Sequence, residues 1–238
     1  MTRRRWIADE FSPGRAALLG ANAAHLARTL RARVGQKFEV ACGQQVHRAV
    51  VSAVADDRVE FNLFEEVSAA QIVVPITLLL AIFKFDRMEW AIEKCTELNV
   101  TCILPVIARR TEKHLAHAAD KRAERWRRIA REAAQQSRRT LAPEISEPVK
   151  LNAAVEGRPG VSLVLAEAER AAGLPDILQA TEKVQSLSLA IGPEGGWTED
   201  EIELFRLSNW ISVSLGGTIL RSETAAIAAL AIARAELG

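Results

Sequence analysis

The sequence predicts an α/β protein in two parts: a small β-rich unit, then a larger unit built on a mainly parallel sheet. Three observations carry this. Short β-rich runs separated by turns fill residues 37–64, strands and helices alternate from residue 72 onward, and the apolar residues recur with a period of 2 or of about 3.6. A chain of 238 residues is long enough for one small and one medium domain, each with a core of its own.

In the first unit, "GANAAHLARTLRARVG" (20–35) reads as a helix closed by Gly35. "KFEVACGQQVHRAVVSAV" (37–54) reads as two strands around a Gly43-Gln44 turn. "RVEFNLF" alternates Val59, Phe61 and Leu63 with Glu60 and Asn62, as a strand with one buried face should. Five or so short strands with one helix suggest a compact barrel over residues 1–70, with the boundary inside "EEVSAAQ" (65–71) and the second domain running over 71–238.

"IVVPITLLLAIF" (72–83) opens the second unit as a strand, with Pro75 tolerable at a strand start or sheet edge. Asp86 is placed to cap the next helix with Glu89 at the capping-box position; Met88, Ala91, Cys95 and Leu98 share its inner face, and Asn99 is a left-handed stop. A strand over 100–108 and a long helix over 120–137 follow, the helix burying Trp126, Ile129, Ala130 and Ala133 while Arg127, Arg131 and Arg138 fall on another side. Pro143 and Pro148 end that stretch. Three more strands read as 161–167, 186–192 and 210–216, and "ETAAIAALAIARAEL" is the final helix, Ala-rich enough to pack closely on the sheet or on a second subunit.

Composition narrows the functional classes. Hydrophobic residues make up 49% and charged residues 26%, and the mean hydropathy is near zero, as in a globular protein rather than a disordered or fibrous one. The run 72–83 is too short to cross a bilayer, and "MTRRRWIADEF" lacks the apolar stretch of a signal peptide, so a cytoplasmic protein with no membrane partner is expected. Cys42, Cys95 and Cys102 fit neither a disulfide framework nor CxxC metal spacing. His114 and His117 stand in HxxH spacing without further Cys or His nearby, so no metal is expected. The net charge of +1 conceals eight Lys/Arg against two acids, Glu124 and Glu132, between Lys121 and Arg139, and Arg3, Arg4 and Arg5 at the N-terminus. Local basic density of this kind suits nucleic acid, although a charged helix face is also commonly just solvated.

In open α/β sheets, ligands sit beyond the C-terminal ends of strands. Here those ends are residues 167–170, 192–197 and 216–223. The second, "IGPEGGWTEDEI" (191–202), places Gly192, Gly195 and Gly196 before Thr198 and Glu201, which form a capping box for the next helix. A phosphate cradle does not fit: no Lys-Ser/Thr pair follows the glycines, the GxGxxG spacing is absent, and Glu194 would repel a pyrophosphate. A neutral or cationic ligand held by backbone groups suits the loop better, and a plain tight turn also accounts for it. The third end, "SLGGTILRSETAAIAAL" (214–230), again follows a strand with glycines and presents Arg221, Ser222, Glu223 and Thr224, with a surface ion pair as the bland reading of Arg221 and Glu223.

"IGPEGGWTEDEI" and "LGGTILRSETAAIAAL", preceded by "RMEWAIEKCTELNVTCILPV" and "WRRIAREAAQQSRRTLAPEI", resemble the RsmE family of SPOUT-class RNA methyltransferases over nearly the whole chain. The resemblance implies a PUA-like first domain, a C-terminal domain with a deep trefoil knot, homodimerisation, and S-adenosylmethionine (SAM) bound by three loops. By that match Leu165 and Glu167 belong to the first loop, Gly192, Gly195 and Gly196 to the second, and Leu215, Gly216, Ile219 and Leu220 to the third. The implied reaction methylates N3 of one uridine in the decoding region of 16S ribosomal RNA, on the assembled small subunit. Uridine N3 must lose a proton before it attacks. Arg221 is therefore the candidate to hold the base anion or a phosphate, and Glu223 a candidate base or a support for Arg221. Arg5, Arg127, Arg131 and Arg138 are the candidate RNA contacts, and Trp6 either stacks on a base or fills the core. Four positions depart from the family pattern: Arg138 and Asn99 where Gly is usual, Gln135 where Glu is common, and Thr218 where Arg is common.

Overall fold

The computed structural model describes residues 4–67, 74–166 and 172–237. The expected domain boundary therefore lies outside the described residues. The chain divides into two compact units, residues 1–71 with 131–142, and residues 72–130 with 143–238.

The first unit holds β1 (Arg5–Ile7), β2 (Glu10–Ser12), β3 (Arg15–Leu19), α1 (Gly20–Ala24), β4 (Lys37–Cys42), β5 (Gln45–Val54) and β6 (Arg58–Val67). Its sheet runs β1-β4-β5-β6-β3-β2, antiparallel except for β1 against β4. Register shifts between Arg48 and Ala49 and between Val51 and Ala53 bend the long β5–β6 ribbon, as bulges do. The sheet curls around a core that includes Trp6, Leu18, Leu26, Val40, Val51 and Phe61. Trp6 is fully buried with the Arg4 guanidinium 4.9 Å from its ring centroid, so the core reading of this residue holds and the base-stacking one does not.

The helix expected over 20–35 is shorter and irregular. α1 gives way to a π turn at His25–Thr29 capped by Leu30, and Arg31 takes a positive φ of 52°, so Gly35 stands beyond the helix. The physical reason is local: no acid occupies the first turn and no side chain caps the N-terminus, leaving the segment held chiefly by burial of Ala23 and Leu26.

The second unit holds β7 (Ile76–Ala81), α2 (Phe85–Glu97), β8 (Cys102–Ile107), α3 (Lys113–Gln136, shared with the first unit from residue 131), β9 (Glu144–Ile145), β10 (Val149–Lys150), α4 (Leu151–Val155), β11 (Val161–Leu165), β12 (Ala172–Gly173), α5 (Leu174–Ala180), β13 (Leu187–Ile191), α6 (Glu199–Leu207), β14 (Ile211–Ser214) and α7 (Ser222–Leu237). The sheet order is β10-β8-β7-β13-β11-β14-β12, with β9 beside β8. Every pairing within it is parallel, as expected from the alternation of strands and helices. One core, including Leu78, Met88, Trp126, Leu189 and Leu230, lies under α2, α3, α5 and α7; another, including Leu79, Trp197, Phe205 and Trp210, lies under α4 and α6.

The expected strands are present but shorter, and α3 begins seven residues earlier than the apolar stripe suggested. Trp126, Ala130 and Ala133 are buried on α3 as expected, with Ile129 partly so. Asp86 does not cap α2. The helix starts at Phe85 behind Lys84, with no side-chain cap, and Glu89 is drawn away by Arg125, whose Nε and Nη2 donate to its carboxylate at 2.6 and 2.8 Å. Asn99 ends the turn after α2 at φ 65°, the left-handed stop expected of it, and Arg138 takes φ 61°. α7 packs against α2 and α5 within its own unit, burying Ala226, Ala229, Leu230 and Ala233, which explains its small residues. Burial keeps the thiols protonated, pushing Cys42 up to about 11 and Cys95 to about 12.

Candidate active site

β13, β11 and β14 are adjacent and parallel, in register through Ala190 with Val164 and Leu165 with Val213. Their C-terminal ends therefore emerge side by side, and the loops beyond them enclose a cavity of about 700 Å³. Leu165 and Ala166 form the first wall. Gly192, Pro193, Gly195, Gly196 and Trp197 form the second, and Leu215 to Leu220 with Ser222 and Ala225 form the third. Of the expected cofactor residues, Leu165, Gly192, Gly195, Gly196, Leu215, Gly216, Ile219 and Leu220 all line this one space. Glu167 lies outside the described residues.

Tight space at two positions and backbone angle at a third favour the glycines of the second loop. A Cβ on Gly192 would stand 3.2 Å from Nε1 of Trp197, and one on Gly195 would stand 3.1 Å from Cδ of Arg110. Gly196 sits at φ 69° in the left-handed region, where its N–H closes a turn onto the Pro193 carbonyl at 2.8 Å. Behind the loop, Thr198 and Glu201 form the expected capping box. Glu201 is buried and accepts from the Thr198 N–H at 2.9 Å and the Arg109 N–H at 2.7 Å, tying α6 to the segment after β8. Ile219 is 82% exposed, an apolar side chain standing free at the cavity wall.

Two arginines that the sequence reading passed over belong to this neighbourhood. Arg110, three residues beyond β8, lines the cavity and donates from Nη1 to the Gly195 carbonyl, with the Trp197 carbonyl at 3.4 Å. Arg87, in the first turn of α2, donates to Oε1 of Glu194 at 2.8 Å and pairs with Oε1 of Glu223 at 3.8 Å. Both follow the C-terminal ends of neighbouring strands, which is the signal that would have marked them.

Glu194 is thus engaged with Arg87 and does not line the cavity. Glu223 is only 5% exposed, and its Oε2 has no hydrogen-bond partner among the described residues. No ion pair joins it to Arg221, so neither the bland surface pair nor a support of Arg221 by Glu223 describes the geometry; the partner is Arg87. Arg221 is exposed between the wall residues Leu220 and Ser222, and its guanidinium makes no hydrogen bond or ion pair among the described residues. The Trp197 indole N–H is buried beside the cavity and likewise unpartnered.

The four expected RNA-contacting arginines are not gathered at this cavity, and each has intramolecular partners. Arg5 is 8% exposed, its guanidinium shared between Glu39 at 3.1 Å and the Arg138 carbonyl at 2.5 Å, so its first duty is to hold the 131–142 segment on the β-rich unit. Arg138 donates to both Glu39 oxygens at 2.7 Å, Arg131 donates to the Ile7 carbonyl and pairs with Asp9 at 2.8 Å, and Arg127 pairs with Glu147. Arg127 and Arg138 remain partly open to solvent. Among the described residues no group of three His, Cys, Asp or Glu side chains could hold a metal ion, and no helix is long and apolar enough to cross a membrane.

A parallel α/β unit with three loops around one cavity, beyond the C-terminal ends of three interior strands, has the form of a small-molecule site, and residues 70–234 match the RNA methyltransferase domain family. The chain is 35% identical to Ribosomal RNA small subunit methyltransferase E of Synechocystis over 87% of this chain and 68% of that one. Against the same enzyme of Mycobacterium tuberculosis it is 32% identical, over 87% and 80%. The fold resembles the crystal structure of a Ribosomal RNA small subunit methyltransferase E from Neisseria gonorrhoeae bound to S-adenosyl methionine, with a TM-score of 0.85 at 30% identity over 96% of this chain and 95% of that one. A Legionella pneumophila structure in complex with the bound cofactor SAM gives a TM-score of 0.86 at 30% identity over 97% and 96%. The chain belongs to the ribosomal RNA small subunit methyltransferase E family.

Proposed function

We propose that this protein transfers a methyl group from SAM to N3 of one uridine in the decoding region of 16S ribosomal RNA, acting on the assembled small subunit in the cytoplasm. The observation that carries the reading is the single cavity at the ends of β11, β13 and β14, in a chain of this family. Its volume falls within the range of about 300–1,000 Å³ usual for small-molecule sites. Its walls combine glycine backbone and apolar side chains with Arg110, Ser214, Thr218 and Ser222, and the unpartnered Trp197 N–H leaves a donor for the ligand. Such walls suit an uncharged adenosine, and the absence of a phosphate loop does not count against it.

Leu165, Gly192, Gly195, Gly196, Leu215, Gly216, Ile219 and Leu220 would hold SAM, with Glu167 as the further member of the first loop. Bound there, SAM supplies an electrophilic methyl group carried on a sulfonium. The chain's own task is to bring uridine N3 to that methyl and accept its proton. Arg221, uncommitted beside the cavity wall, holds the developing base anion or an adjacent phosphate. Glu223, buried behind the wall residue Ser222 with one oxygen unpartnered among the described residues, is the candidate proton acceptor. Arg127, Arg131 and Arg138 contact the RNA backbone, and Arg5 orients Arg138.

The same reading gives residues 1–70 the role of a PUA-like RNA-binding barrel and residues 71–238 that of a SPOUT domain with a deep trefoil knot, paired into a homodimer. Ile219, exposed at the cavity wall, is an apolar side chain that a bound ligand would cover. Calorimetry with SAM tests the donor site: binding at one site per chain is expected, and no detectable heat with or without RNA would exclude it.

A further inference from the structure

We infer that Arg87 is a positioning residue for the donor site, fixing the second loop and the start of α7 to one another through a single guanidinium. The inference rests on the cavity being the SAM site. Arg87 is itself absent from the cavity wall, as are Glu194 and Glu223, so it acts through the groups it holds. One side of the guanidinium meets Glu194, which lies between Gly192 and Gly195 in the second loop; another meets Glu223, which follows Ser222 at the third wall.

The energetic reason is the burial of Glu223. A carboxylate 95% removed from solvent, with one oxygen unpartnered, needs a counter-charge, and Arg87 is the one cation paired with it among the described residues. Helix polarity adds to this, since Glu223 stands in the first turn of α7. Removing Arg87 therefore frees Glu194 and leaves the buried Glu223 charge, among the described residues, with only the helix N-terminus to offset it, which loosens the first turn of α7. A lysine cannot replace it fully, because a point charge on a flexible stem lacks the planar fork that reaches two carboxylates at once.

The test uses the full chain, with SAM as the probe in calorimetry and hydrogen exchange on the ligand-free protein. Arg87→Met should raise the SAM Kd about tenfold or more, in the range of ordinary site-to-site coupling, and Arg87→Lys should fall between it and the wild type. Adding Glu223→Gln to Arg87→Met should recover affinity, because the buried charge is gone. In the ligand-free protein, Arg87→Met should speed exchange in residues 192–197 and 222–226 together. Wild-type affinity in Arg87→Met, or a Kd for the double variant no better than for Arg87→Met alone, overturns the assignment. If the wild type itself binds no SAM, the donor-site reading fails, and unchanged exchange in the two segments then overturns the role of Arg87 separately. Should Arg87→Met not fold, Arg87→Lys and Glu194→Gln carry the same comparisons.

Discussion

Arg110 reaches across from the segment after β8 and donates its Nη1 hydrogen to the carbonyl oxygen of Gly195, in the middle of the glycine-rich loop. The same nitrogen lies 3.4 Å from the Trp197 carbonyl, so one guanidinium spans both sides of the Gly196 turn. The loop owes its shape to this cation as well as to its glycines. Arg110→Ala should weaken SAM binding by about tenfold to a hundredfold, the scale of a charged hydrogen bond worth roughly 1.5–3 kcal/mol, while the melting temperature moves little because the side chain is exposed. Titration calorimetry beside a thermal melt reads both quantities.

Arg221 separates chemistry from binding. Its side chain is uncommitted among the described residues and does not line the cavity, although both neighbours do. Arg221→Ala should cut methyl transfer at saturating SAM by about a hundredfold, the typical loss on removing one charge-stabilising donor, and leave the SAM Kd within about twofold. Equal losses in rate and affinity would put Arg221 in the donor pocket instead.

Glu201 carries stability rather than catalysis. It is buried and accepts from Thr198 N, Thr198 Oγ1 and Arg109 N. Glu201→Ala removes a helix cap and strands the Arg109 amide, so a loss of about 2–3 kcal/mol is expected. Urea unfolding monitored by tryptophan fluorescence would show the midpoint fall.

Glu39 makes the β-rich unit sensitive to acid. Burial pushes its carboxyl up, but the hydrogen bonds from Arg138 and Arg5 outweigh this and hold it below the usual carboxylate value. A depressed folded-state pKa means that the contribution is complete above the unfolded value of about 4.3 and is lost as pH falls through the lower folded value. The difference in unfolding free energy between wild type and Glu39→Gln should therefore stay level from pH 7 to about 5 and shrink below about 4. A difference that grows on acidification would contradict the pairing.

Much of the site was legible because its parts are local. Gly192, Gly195, Gly196, Thr198 and Glu201 announce a loop and a helix start within twelve residues, and the resemblance brought Leu215 to Leu220 beside them. What escaped the sequence are pairings between distant segments. Arg87 and Arg110 acquire their roles only when parallel pairing of β7, β8 and β13 brings their loops together. The four basic residues marked for RNA showed their charge in sequence, but Glu39, Asp9 and Glu147, which take up part of it, come from elsewhere in the chain. The same competition displaced Glu89 from its capping role, since Arg125 on α3 binds it. Asn99 and Arg138, which stand where the resemblance leads one to expect Gly, are both left-handed, Asn at little cost and Arg with its guanidinium held by Glu39.

Methyl transfer to a uridine base is tested most directly by mass mapping of 16S RNA. Small subunits from a strain lacking the gene would be incubated with the purified protein and SAM, digested and compared with untreated subunits. One added methyl on the base of a single decoding-region uridine, blocking its Watson–Crick edge at N3, is the predicted result. A methyl on a ribose or on another base, or a decoding-region uridine already methylated in the untreated subunits, would contradict it.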